Sequence, residues 1–309
     1  MITIYKHSET GLLQMSEPTE GCWINVVDPT PDELKTLISY DLPHDYLTYP
    51  LDLDERARSE RENGELLIIL RIPFFQGQAA DVPYATIPLG IILNNKYVVT
   101  VCRINHDILR EFSSGHVKGL STGKRQRFVL RILLASANKF LSYLREINKV
   151  VDALEDQLQQ STRNKEVLEL LKYQKSLTYF ATALKSNELM MERLERSKLF
   201  QAFPEDEDLL DDVLTENQQA IEMTNISSNI LSGMMDAFAS IISNNLNGVM
   251  KILAGITIIL AMPTMVASFY GMNVSLPFEG LSHAFPLILG ISLALTSLVV
   301  YIFWKRDWF

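Results

Sequence analysis

The sequence predicts an α+β membrane protein: an N-terminal α/β cytoplasmic domain, a long helical stalk and two C-terminal transmembrane helices. Three observations predict it. Two uncharged apolar stretches, 252–270 and 285–304, lie in the last fifth of the 309-residue chain. Strand and helix signals alternate over the first third. Between these regions apolar residues recur at helical spacing.

Residues 1–120 read as the α/β domain. Met1-Ile2-Thr3-Ile4-Tyr5-Lys6-His7 is not followed by an apolar signal-peptide core, so this part is expected to stay on the synthesis side of the membrane. Residues 22–27 read as a strand. Thr30-Pro31-Asp32-Glu33 then supplies an N-cap, a proline at the first helical position and a capping-box glutamate. Residues 66–72 form a short buried-strand run, and 89–93, Asn94-Asn95-Lys96 and 97–102 read as a hairpin.

The pattern turns helical over 121–203. Leu134, Ala137, Leu141, Leu144, Ile147, Val151, Leu154 and Leu158 step by three or four and share one face. Residues 164–200 repeat the spacing and run back, which makes a long antiparallel pair with a turn near 160–164. Phe203-Pro204 breaks it. From Glu205 no proline occurs until Pro263, so one helix can run from 204 through a stalk (204–251) and the first span (252–270), about 100 Å at 1.5 Å per residue.

Each apolar stretch can cross a hydrocarbon core of roughly 30 Å. They are joined by a short loop, 271–284, and the second span (285–304) is followed by a basic-aromatic tail, 305–309. Lys251 precedes the first span and Lys305-Arg306 follow the second, while the loop has no Lys or Arg, so both termini are expected in the cytoplasm. Tyr301, Trp304, Trp308 and Phe309 suit the headgroup layer at that end. A buried helical hairpin in a soluble enzyme is the alternative reading of the two stretches.

Charge narrows the partners. The chain has 28 basic and 37 acidic residues; setting aside Lys251, Lys305, Arg306, Glu279 and Asp307 leaves 25 against 35 in the soluble body. So acidic a body disfavours nucleic acid and can attract cations, although ordinary solubility charge has the same average. Cys22 and Cys102 are too far apart for a CxxC motif or metal-ligand spacing, which fits a reducing compartment. No GxxxxGK[ST] loop is present, so coupling to ATP hydrolysis is not supported.

The stalk helix, continuing through the first span, carries an unusual stripe. Asp236, Ser240, Ser243, Asn247, Met250, Ala254, Thr257, Ala261, Thr264 and Ser268 follow steps of three and four and project from one helix face. Polar groups there are costly against lipid and must face protein or water. One hairpin cannot enclose a lumen, so the stripe implies several copies in a closed ring with this helix innermost. Small-residue helix packing is the alternative.

Tyr270-Gly271-Met272-Asn273 at the end of the penultimate span resembles the signature of the CorA family of divalent-cation transporters. The run Ser243-Asn244-Asn245-Leu246-Asn247-Gly248-Val249-Met250-Lys251-Ile252-Leu253 is similar to that family's cytoplasmic pore entrance, and Lys305-Arg306-Asp307-Trp308-Phe309 resembles its C-terminus. The resemblance implies a homopentameric, funnel-shaped magnesium channel in a cell inner membrane, its first span lining the pore and its second facing lipid. It implies Mg2+ as transported and regulatory ion, cobalt and nickel as further cargo, and passive influx gated by cytosolic Mg2+.

The same resemblance assigns roles. Gly271, Met272 and Asn273 form the selective mouth, with Gly271 allowing the turn that places the Asn273 carbonyls. Neutral oxygens suit an ion that holds its waters tightly. Asn247 would form an inner polar ring, Met250 and Leu253 a hydrophobic constriction, Thr257 and Thr264 contacts to the hydration shell, and Asp236 an acidic ring below the constriction. Asp212 matches a regulatory magnesium site whose expected partner position holds Gln76, with Asp81 further along. The remaining acids of its run, Glu205, Asp206, Glu207, Asp208 and Asp211, suit a helix N-terminus. Glu279 adds either an external negative field or an ordinary solvated charge.

Two other functions stay open. A branch of the superfamily shares the Gly-Met-Asn loop and transports zinc, but His7, His44, His106, His116 and His283 are scattered, with no paired nitrogen or sulfur ligands on the stripe. A membrane-tethered enzyme or sensor would need a catalytic constellation in the soluble body, and none is visible from spacing.

Overall fold

The computed structural model describes every residue except 9, 10, 63, 116, 118, 161–163, 201, 202, 275, 276, 278–282, 307 and 309, and only the backbone of 158–160 and 164. The chain forms two compact units, Met1–Met235 and Asp236–Phe309. Glu279, His116, Asp307 and Phe309, and the side chain of Leu158, lie outside the described residues, as does most of the turn expected near 160–164.

The first unit is built on a seven-stranded sheet. In chain order its strands are β1 (Ile2–Ser8), β2 (Gly11–Met15), β3 (Trp23–Val27), β4 (Arg58–Glu62), β5 (Glu65–Phe75), β6 (Tyr84–Leu93) and β7 (Val98–Cys102). Their spatial order is β2-β1-β3-β7-β6-β5-β4, and every pairing is antiparallel except β3 with β7. The expected hairpin is β6–β7, with Asn94 Oδ1 closing its turn by accepting from the amides of Lys96 and Tyr97 at 2.9 and 2.7 Å.

Both faces of this sheet are covered, which is why its central strands read as continuous apolar runs. Leu66, Ile68, Leu70 and Ile72 of β5 join one core with Trp23, Phe112, Phe128 and Leu133. Leu67 and Ile69, pointing the other way, join a second core with Ile24, Leu37 and Leu47. The second core is roofed by α1 (Pro31–Ile38) and α2 (His44–Thr48). At the start of α1 the capping box forms as expected: Glu33 N–H donates to Thr30 Oγ1 at 3.3 Å and Thr30 N–H to Glu33 Oε2 at 2.8 Å. That main-chain donor and the N-terminal ammonium hold the Glu33 carboxyl below its ordinary pKa.

The first core lies under α3 (Asp107–Ser113), α4 (Arg125–Gln160) and α5 (Asn164–Arg196). Ala137, Leu141, Leu144, Ile147 and Val151 are buried on the α4 face marked by their spacing, and Leu170, Leu177, Phe180 and Leu184 answer from α5. The segments 1–120 and 121–203 therefore share one core.

β4 is a short, charged edge strand, RSERE, of the kind that discourages pairing with another chain. It ends at Arg58, opposite Ile69. Two residues further along β5 the sheet edge continues through a side chain instead of a strand. Arg71 N–H donates to Asn187 Oδ1 at 2.9 Å, and Asn187 Nδ2 donates to Arg71 O at 2.8 Å. The Arg71 guanidinium spans the adjoining loop, donating to Leu53 O and Thr86 O, each at 2.6 Å, and to Glu55 O at 2.9 Å.

Helix α6 (Pro204–Tyr270) starts where Phe203-Pro204 was expected to break the chain. Proline at the first position gives up a donor that would be unpaired anyway. Phe203 O accepts from Asp206 and Glu207 N–H at 3.0 and 3.3 Å. The opening acids have more than a dipole to satisfy, because Arg127 of α4 pairs with Glu205 at 2.7 Å and Asp206 at 2.6 Å. Leu209, Leu210, Val213 and Leu231 then bury α6 against the first unit.

The second unit comprises α6 from Asp236 and α7 (Ala284–Lys305). Both helices are long and apolar enough to span a bilayer, with mean hydropathies of 2.1 and 2.3 over their best windows, of which only 6% is buried. Helices of a soluble core would be covered, so that alternative loses its basis.

Replacing Asn187 by alanine strands the Arg71 amide and carbonyl in a buried place. We expect a loss of about 2 kcal/mol, read as a lower denaturation midpoint of the full-length protein in detergent, with Asn187→Asp intermediate. An unchanged midpoint would show that the side chain does not complete the sheet.

Candidate functional site

Helical geometry places the ten stripe residues from Asp236 to Ser268 on one face of α6, and all ten are exposed. Met250 and Leu253 are 56% and 57% exposed, unusual for large apolar side chains unless another surface covers them. A different α6 face is covered within the unit: Gly255 is buried, and Gly248, Ile259, Met262, Val266 and Tyr270 are half-buried. On α7 the matching run is Ala284, Ile288, Ser292, Thr296, Val299 and Phe303, with Ser292 buried. Gly255 and Ser292 are the most covered residue of each run. The stripe lies off the half-buried face of α6.

Thr257 and Thr264 stand on the stripe with their hydroxyl hydrogens engaged. Thr257 Oγ1 donates to Leu253 O at 2.8 Å and Thr264 Oγ1 to Leu260 O at 3.1 Å. Pro263, inside the helix, offers no N–H to the Ile259 carbonyl. Asn247 and Asp236 are exposed on the same face.

Gly271 stands at the turn where α6 ends. Its φ lies outside the left-handed region, so glycine is not required there for a backbone reversal. Helix α6 ends instead by tightening: Gly271 N–H is shared between Ala267 O at 2.9 Å and Ser268 O at 3.3 Å, and Met272 N–H reaches Phe269 O at 3.2 Å. A Cβ on Gly271 would meet Ala267 O at 3.4 Å, an ordinary contact distance. Asn273 follows directly, exposed, between Met272 and Val274 at 53% and 51% exposure.

Sequence reasoning missed the brace on this end. Tyr270 Oη donates to Pro277 O at 3.3 Å, tying the helix terminus across the loop. The aromatic in the motif was the available signal. The tail was also underread, because Trp308 stacks on Phe303 with centroids 4.8 Å apart and planes at 7°, and its N–H donates to Phe303 O at 3.1 Å. Trp308 shares a groove with Asn247, Met250 and Lys251.

Asp212 sits earlier on α6, in the first unit, exposed, as are Gln76 and Asp81. Gln76 lies just past β5, its N–H donating to Pro83 O at 2.8 Å. Among the described residues of this one chain no group of three or more His, Cys, Asp or Glu side chains is placed to hold a metal ion.

Cysteine scanning reads which α6 face meets water. Cys22 and Cys102 are fully buried and should stay silent. Cysteines at Thr257 and Thr264 are expected to react with a charged, membrane-impermeant thiol reagent at least about tenfold faster than one at Val266. Equal rates at all three would dissolve the distinction between the faces.

A model of the family described as "CorA-like Mg2+ transporter protein" matches residues 19–306. The cobalt/magnesium transport protein CorA of Methanocaldococcus jannaschii is 29% identical over 301 residues, covering 93% of this chain and 90% of that protein. The magnesium transport protein CorA of Helicobacter pylori is 24% identical over 301 residues, covering 94% and 92%. In fold, the chain matches the complete structure of the M. jannaschii CorA magnesium transporter with a TM-score of 0.86 at 24% identity, over 100% of this chain and 99% of the other.

Proposed function

Since this chain belongs to the CorA-like Mg2+ transporter family, we propose that it conducts hydrated magnesium passively through a homopentameric ring in a cell inner membrane, with α6 innermost and both termini in the cytoplasm. The observation that carries this reading is the exposed stripe of small and polar residues on α6, which lies off the half-buried face and runs to Ser268, five residues before Asn273. Five copies turn it into a lined conduit. Lys251, Lys305 and Arg306 mark the cytoplasmic side.

In this reading Gly271, Met272 and Asn273 form the mouth. Magnesium demands octahedral oxygen coordination and gives up water reluctantly, so five Asn273 carbonyls receive the hydrated ion without stripping it. Cobalt and nickel, with similar hydrated shells, are expected as further cargo. The Tyr270 to Pro277 bond helps hold the ring of carboxamides at its diameter. Thr264 and Thr257 follow with oxygen lone pairs turned outward, then Leu253 and Met250 close an apolar constriction that blocks ions by shedding water. Asn247 and Asp236 receive the ion below it, and the Asp236 carboxylates repel one another when it is absent.

Cytosolic Mg2+ closes this pathway by bridging neighbouring subunits at Asp212. Gln76 offers a neutral oxygen in place of a carboxylate, so the bridge is water-mediated and weaker than a pair of carboxylates would make it.

Three measurements test this reading. Proteoliposomes should take up magnesium, and zinc uptake with negligible magnesium uptake would overturn it. Asn273→Ala should reduce magnesium flux at least about a hundredfold while the oligomer mass in detergent stays unchanged; retained flux removes Asn273 from the mouth. Asp212→Ala should raise, by about fivefold or more, the magnesium concentration that protects the soluble part from protease. An unmoved midpoint would place regulation elsewhere.

A further inference from the structure

The first unit contains a cavity of about 820 Å³, large enough for a metabolite, between the first turn of α4, the β6–β7 turn and the start of α6. Its electrostatics run against the rest of the molecule. The chain carries a net charge of −9, yet four cations line this cavity against two carboxylates. Both carboxylates are already taken, Glu205 and Asp206 each pairing with Arg127. Arg125 is held in place by donating to Asn94 O at 2.5 Å, an oxygen fixed by the hairpin turn. Arg61 and Lys124 are exposed and have no carboxylate partner among the described residues.

Three cations are thus left unneutralised beside the α4 first turn, whose N–H groups have no acceptor within the helix. One stretch of the wall is apolar. Leu199 and Phe203 line it, and Phe203 is 61% exposed, a ring left uncovered on a concave surface. A ligand that fits carries several negative charges at one end and a flat apolar ring at the other.

We propose that this cavity binds a nucleoside polyphosphate, its phosphates on Lys124, Arg61 and Arg125 and its base against Phe203 and Leu199. Phosphate oxygens match the guanidinium and ammonium donors, and the α4 N-terminus adds a favourable dipole. Base-on-ring stacking covers Phe203. The ligand is bound and not hydrolysed, because Arg127 occupies the carboxylates that would hold a catalytic metal or activate water. The site stands independently of the transport reading.

The experiment uses the full-length protein in detergent with EDTA, so that removal of magnesium by nucleotide cannot mimic binding, and reads the thermal midpoint and titration calorimetry with ATP, ADP, adenosine and tripolyphosphate. ATP and ADP should raise the midpoint, adenosine should not, and tripolyphosphate should bind about tenfold more weakly than ATP. Arg61→Ala with Lys124→Ala, both at exposed positions, should weaken ATP at least about tenfold. Phe203→Ala should weaken ATP while leaving tripolyphosphate unchanged, which separates loss of stacking from loss of fold. No shift with millimolar ATP, an undiminished shift in the double variant, or equal binding of tripolyphosphate and ATP would each overturn the assignment.

Discussion

A bilayer interior accepts a polar helix face only when something other than hydrocarbon covers it. That constraint governs the second unit. Helix α6 carries Asn247, Thr257, Thr264 and Ser268 on an exposed face, while Gly255 is buried and the residues near it on another face are half-buried. The two faces have separate obligations. One is met within the chain, where Gly255 is buried. The other is not met within the chain, and the proposed ring is one way to cover it.

The first unit solves a different problem, how to anchor a long helix. Its sheet is covered on both faces, and α4, α5 and the opening turns of α6 share the core on one side. The helix start is locked by charge as well as by packing: Arg127 holds Glu205 and Asp206, and the Asp206 side chain is only 5% exposed. A desolvated pair of this kind contributes direction as much as energy, since neither partner can leave without stranding the other. The Asn187 bridge serves the same end by tying α5 to the main chain of β5.

The sequence exposed those elements whose physics is local and periodic. The β6–β7 hairpin, the capping box, the unbroken α6 and both spans were legible because turn residues, caps and apolar spacing act within a few positions. β1, β2 and β4 were not seen. β2 and β4 are edges, half exposed and in β4 almost wholly charged, so they lack the apolar alternation that marks a strand. β5 ran on to Phe75 because it is buried on both faces. In the site, the stripe was legible as helical arithmetic and the loop as a motif, with Gly271 at the turn that ends α6. The Tyr270 to Pro277 bond and the Trp308 stack join residues across turns, where spacing carries no information.

The threonines of α6 have a further consequence. Because Thr257 and Thr264 donate their hydrogens to carbonyls one turn back, what they turn outward is oxygen with no proton to give. In the proposed conduit a wall of such neutral acceptors favours a cation, whose waters turn both hydrogens outward, over an anion, whose waters each spend one hydrogen on the ion. Such a preference involves no ionisable group, so acidity cannot titrate it away, and it would persist if every carboxylate along the helix were neutralised.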